Sequence, residues 1–277
     1  MRISRSSREG TGLILFLATA LLILIQLGGC SDSDTSPTGV SRNEPPVMPQ
    51  ADQLTFDFSF FANADQLDAD QEKGAGPHDN FINAYFRTVI LDAMAHLVLA
   101  PPVAAFSAAV HTVPVAQPDG AWVWTYPWKG PYGNIMIVLR GRPSGQVVEW
   151  ELSLAPGKKS RSDVWFSGTT SGDGNEGHWV FHDLDSPDQP VSGEIAWGRQ
   201  GNGRFLEFVS REPGEEGNTL RFLDDAPSFR IDYRPGDDTP ASFICWHAQG
   251  HGSLQVPDYN GGREACWDSY LLDTVCP

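Results

Sequence analysis

Positive charge is short in this sequence, and the shortage closes a route. Of 277 residues, 19 are Lys or Arg and 35 are Asp or Glu, for a formal net charge of −16. Such a surface is repelled by phosphate backbones and by anionic headgroups, so nucleic acid is excluded as a partner. Cysteine is limited to four positions, Cys30, Cys245, Cys266 and Cys276. Three catalytic signatures are absent: there is no Gly-x-Ser-x-Gly elbow, no His-Glu-x-x-His and no phosphate loop. No internal repeat is strict enough for a propeller. Lysine is scarce, whereas Gly (28) and Pro (21) are plentiful. That balance predicts many turns and few long helices.

The N-terminus carries the most specific pattern. Arg2, Arg5 and Arg8 precede an apolar run from Leu13 to Ile25, and Leu27-Gly28-Gly29-Cys30 follows. A basic start, a short apolar stretch and small residues before a boundary form a bacterial secretory signal. Leu27 to Cys30 resembles the lipobox of bacterial lipoproteins. The resemblance implies a diacylglycerol thioether on Cys30, cleavage before it, and anchoring of the protein to a membrane of the cell envelope. Ser31 in place of aspartate leans toward the outer membrane. Without residues 1–29, which hold three arginines and Glu9, the net charge becomes −18. The lipid, not electrostatics, must then hold the protein at a bilayer.

Three segments follow. Residues 30–54 are polar and proline-rich and read as the lipidated cysteine and a flexible tether. Residues 55–277 are long enough for one substantial core. Within them, Phe56, Phe58, Phe60 and Phe61 read as a short extended piece, and Asp65 to Glu72 as a solvated acidic turn. Apolar positions at helical spacing from Phe81 to Val98, with Asp79 as N-cap, predict a helix ending at Pro101-Pro102. Pro102 opens a second helix, so residues 78–111 form a helical pair.

From residue 120 the period changes to two, with a turn about every twelve residues. Val148, Trp150, Leu152 and Leu154 share one face, as do Ile195 and Trp197, and Phe229, Ile231 and Tyr233. Short hairpin links make the pairing antiparallel. The expected fold is mainly β: an antiparallel meander of about eleven strands over 120–257. A sheet that wide must curl, split or close, so a strongly curved sheet or partial barrel clasping the helices is favoured. A two-sheet sandwich is the alternative. The half-barrel with helices resembles, in architecture alone, the LolA and LolB lipoprotein carriers. Residues 258–277 read as a tail pinned by a Cys266–Cys276 disulfide, with Cys245–Cys266 the competing pairing.

Each chemical candidate has a plainer explanation. His247 and His251 flank a hairpin turn beside Cys245 and offer a weak metal set with no fourth ligand. His178 and His182 are four residues apart on a strand, too far for one ion. Asp92 and His96 form an acid–base spacing on the helix, and Gly172 to Gly177 a glycine-rich hairpin loop. No catalytic residue, resident metal or cofactor is expected. Trp122, Trp124, Trp128 and Tyr132 offer an aromatic surface for a glycan or an envelope protein. The leading expectation is a non-catalytic binding or assembly role. An apolar ligand, a lipid or acyl chain, would lie between sheet and helices against Met94, Leu97, Trp150, Trp197 and Phe208.

Overall fold

The computed structural model describes residues 44–62, 77–130, 133–155, 163–237 and 239–277; for 51–52, 62, 93–102, 129–130 and 133–134 it gives the backbone alone. All of these fall in one unit of contacts, residues 37–277. Cys30, the acidic stretch from Asp65 to Glu72, and Tyr132 lie outside the described residues. So do the side chains of Met94, Leu97 and His96.

After a short 3-10 turn (Ala51–Leu54) come α1 (Ser59–Ala62) and α2 (Asp79–Val110). The strands are β1 (Val115–Ala116), β2 (Trp122–Gly130), β3 (Gly133–Ser144), β4 (Val147–Ala155) and β5 (Asp163–Ser171). They continue with β6 (Gly177–His182), β7 (Val191–Gln200), β8 (Gly203–Ser210), β9 (Thr219–Asp225) and β10 (Ser228–Arg234). Last come β11 (Ser242–His247), β12 (Gly252–Gln255), β13 (Ala265–Trp267) and β14 (Asp273–Thr274). All are antiparallel, and each pairs with its neighbour in sequence, in a single 14-stranded meander. The antiparallel meander expected from the period-two pattern is therefore present. Three more strands are formed than expected, because β1 precedes residue 120 and β13 and β14 lie in the tail.

The expected strong curl is not formed, and neither is the sandwich: the sheet is single and open. It ends in two-residue strands at both edges, which leaves little exposed ladder to recruit another chain. Closure is unnecessary because the chain's own segments cover the apolar face. Helix α2 is 32 residues long, about 48 Å at 1.5 Å per residue. Its first turns contact β12, β13 and β14, and its later part reaches β2 and β3. The N-terminal strap covers the middle: Phe56 stacks on Phe222 of β9 at 3.7 Å, and Phe61 meets Trp246 of β11 edge-on.

The helical pair is likewise one helix. It runs unbroken through Pro101-Pro102, although an interior proline costs about 3 kcal/mol in an isolated helix. Burial of Ala105, Phe106 and Ala109 beyond the prolines holds the last turns in place. Asp79 is not the N-cap but the first helical residue; the cap position is His78, which makes no side-chain capping bond. The capping acceptor comes from the far end of the chain, where Asp273 Oδ1 accepts from the Asn80 amide at 2.9 Å.

Aromatic rings interleave with glycines across the buried face. Gly141, Trp150, Gly168 and Trp179 stand side by side on β3 to β6. A Cβ at Gly141 would sit 2.6 Å from the Trp150 ring, and one at Gly177 only 2.2 Å from the Trp197 ring. The indoles lie along the sheet over strand glycines, which have no side chain to displace them. Phe106 of α2 closes this layer, edge-on to Trp150 at 5.2 Å and stacked on Trp179 at 5.2 Å.

Candidate functional site

The opposite face of the sheet is wet and charge-paired. Arg142 pairs with Glu149, Arg221 with Glu207, and Glu194 with both Arg211 and His178. Burial pushes the Glu194 carboxyl up, but Arg211 and His178 outweigh it and leave the group below its ordinary value. Exposed pairs of this kind contribute little stability.

An apolar opening lies beside α2. A groove of about 200 Å³ is lined by Ile90 and Leu91 of the helix and by Ile231, Tyr233, Ile244 and Val256 of the sheet side. The register explains the sheet wall, since Ile231 of β10 stands directly opposite Ile244 of β11, which stands opposite Leu254 of β12. On the helix, Phe81, Ala84 and Thr88 are buried at successive turns, while Phe86 and Ile90 are each 61% exposed. The apolar rim of the groove thus faces solvent. Met94 and Leu97 continue the sequence spacing from Ile90.

A polar clamp fixes the N-terminal end of the same helix. Asn80 Nδ2 donates to the Cys266 carbonyl at 2.7 Å, and the Tyr259 hydroxyl donates to Asn80 Oδ1 at 2.7 Å. His78 Nδ1 donates to the Leu271 carbonyl at 2.9 Å. Burial, then the nearby Asp273 and Asp79 carboxylates, raise the Tyr259 phenol above its ordinary pKa. The Cys266–Cys276 disulfide holds the same tail, and Cys245 is the free thiol. Arg87 reaches out of the helix to Asp258 with two contacts of 2.9 Å.

The sequence-derived ligand residues fall elsewhere. Trp150 and Trp197 are each 2% exposed and belong to the closed aromatic layer, with Trp197 edge-on to Trp179 at 4.5 Å. Phe208 is half-buried on β8 and lies over Gly193, not in the groove. The aromatic stripe divides in a similar way: Trp124 is core, whereas Trp122 and Trp128 are half-buried. Trp128 stacks instead on Trp165 at 6.2 Å, a partner the sequence reading missed. An irregularity of register beside Leu152/Ser153 leaves Trp165 unpaired between Val164 and Phe166; a bulge of this kind re-aims its side chain.

His247 and His251 do meet, their rings stacked 4.7 Å apart. Cys245 points its thiol at the Ser253 hydroxyl at 3.1 Å, and Ser253 donates to Glu264 at 2.6 Å. These three do not gather as a metal set. Among the described residues the one such group is Glu264, Cys266 and Cys276, and its two sulfurs are joined in the disulfide. His178 is engaged by Glu194 and His182 by the Gln189 carbonyl. No protein family, curated protein or solved structure matches the chain. Among the described residues no helix is long and apolar enough to cross a membrane.

Proposed function

We propose that the protein is a lipid-anchored protein of the bacterial envelope that holds one apolar chain in the groove between α2 and β10–β12. One observation carries the binding role: an apolar groove of about 200 Å³ with exposed Ile90 at its mouth. Each methylene of an acyl chain laid there gains about 0.8 kcal/mol by leaving water. The polar clamp at Asn80 fixes the start of α2 to the C-terminal tail. The anchor rests on the lipobox resemblance at Leu27-Gly28-Gly29-Cys30, and the outer membrane is the favoured location. The role is one of binding, without a reaction or a cofactor.

Native mass spectrometry of the full chain, purified gently from a bacterial envelope, tests the ligand. A reproducible adduct of lipid mass that is lost on denaturation is the expected result, and a bare polypeptide mass contradicts it. The anchor is tested separately: Cys30→Ser abolishes metabolic labelling with palmitate and releases the protein from membranes. Labelling that persists in the variant overturns the anchor.

A further inference from the structure

A second groove lies at the tips of two hairpins, away from the apolar one. It has a volume of about 290 Å³ and is lined by Gln53, Asn175, Arg199, Asn202, Asp224 and Asp225, among others. Four separate segments converge there: the N-terminal strap, the β5–β6 loop, the β7–β8 hairpin and the β9–β10 hairpin. Its walls are polar, unlike those of the groove beside α2.

Seven arginines of the described chain, Arg87, Arg140, Arg142, Arg204, Arg211, Arg221 and Arg230, each pair with a carboxylate. Arg199, like Arg234, has neither an ion pair nor a side-chain hydrogen bond among the described residues, although the chain carries an excess of acid. Its cross-strand partner is a like charge, Arg204, and like charges directly opposite each other are destabilising. Arg204 is compensated by Asp224 at 2.9 Å, with Asp57 acting on it from the strap. Asp225, on the β9–β10 hairpin and exposed, likewise has no side-chain partner among the described residues. Among the described residues, an unpaired cation and an unpaired anion, both exposed, therefore line one groove. Gln53 and Asn202 also line the groove, and their amides both donate and accept.

We infer that this groove binds a small zwitterion, an α-amino acid being the simplest, with its carboxylate on Arg199 and its ammonium on Asp225. The guanidinium offers a two-pronged donor to a carboxylate, and the carboxylate of Asp225 disfavours a ligand that is purely anionic. The site is independent of the apolar groove and of the N-terminal anchor.

Calorimetric titration of the full chain decides the matter. The probes are the standard α-amino acids one at a time, with acetate and methylammonium as the two half-ligands. At least one amino acid gives saturable heat and the half-ligands give none. Arg199→Gln and Asp225→Asn each weaken that binding about tenfold or more, the scale of one lost charge-assisted hydrogen bond. Arg234→Gln, which removes an exposed arginine on β10, leaves it unchanged. Absence of saturable heat from every amino acid overturns the inference, as does equal affinity in Arg199→Gln. Acetate binding as tightly as the amino acid overturns it too, because the ammonium half would then do nothing.

Discussion

At the scale of single residues, stability rests on a fit between indoles and glycines that is felt atom by atom. A methyl group at Gly177 collides with the Trp197 ring at 2.2 Å, inside a layer where Trp179 and Trp197 are nearly inaccessible. Gly177→Ala is expected to cost about 1–3 kcal/mol through overpacking, read as a lower urea midpoint with an unchanged slope. Tyr126 gives a pH signature. Its hydroxyl donates to the Ala105 carbonyl at 2.7 Å, and burial pushes the phenol well above its ordinary value. The native state thus favours the neutral phenol. That contribution is complete below about pH 10, the unfolded value, and is lost as pH rises beyond it. Tyr126→Phe is expected to lose about 1 kcal/mol at neutral pH and to show a shallower fall of stability between neutral and strongly alkaline solution. An equally steep fall in the variant contradicts this. The period-two pattern made Trp150, Trp197 and Ile231 legible as buried. The glycines opposite the rings were not, because register between strands is a tertiary property.

At the scale of elements, the helix and the tail form one device. Sequence spacing placed a helix at Phe81 and a disulfide at Cys266–Cys276, and both are present. It broke the helix at Pro101-Pro102, where local propensity argues for an end and burial of Phe106 and Ala109 overrides it. It also gave the N-cap to Asp79, since a capping acceptor from Asp273 cannot be seen from neighbouring residues. Asn80→Ala removes the bonds to Cys266 and Tyr259 and leaves both partners part-buried. The expected cost is about 1–3 kcal/mol, with faster amide exchange in β13, β14 and the first turns of α2 and little change in β3–β8. Uniformly faster exchange across the sheet would show that the clamp is not local.

At the scale of the whole molecule, a broad open sheet is completed by its own N-terminal strap and one long helix. The meander was legible because short hairpins leave no other connection. The lack of closure and strong curl was not, since it depends on how much of the apolar face α2 and the strap cover. For the residues the sequence offered for an apolar ligand, the pattern marked their apolar character but not their packing. An apolar opening beside the helix was expected, but Trp150 and Trp197 are sealed beneath Phe106 and Trp179, and the opening falls at Ile231, Ile244 and Val256 instead. The helix rim tests the binding claim without disturbing the core, because Ile90 is 61% exposed. The deciding measurement is equilibrium binding of a fluorescent fatty acid to the full chain and to Ile90→Glu, with thermal unfolding as a check on the fold. Saturable binding is expected, weakened about tenfold or more by Ile90→Glu while the melting temperature holds, since a bound apolar chain would have to cover and desolvate the exposed carboxylate. Unchanged affinity in Ile90→Glu, or no saturable binding to the unaltered chain, would contradict it.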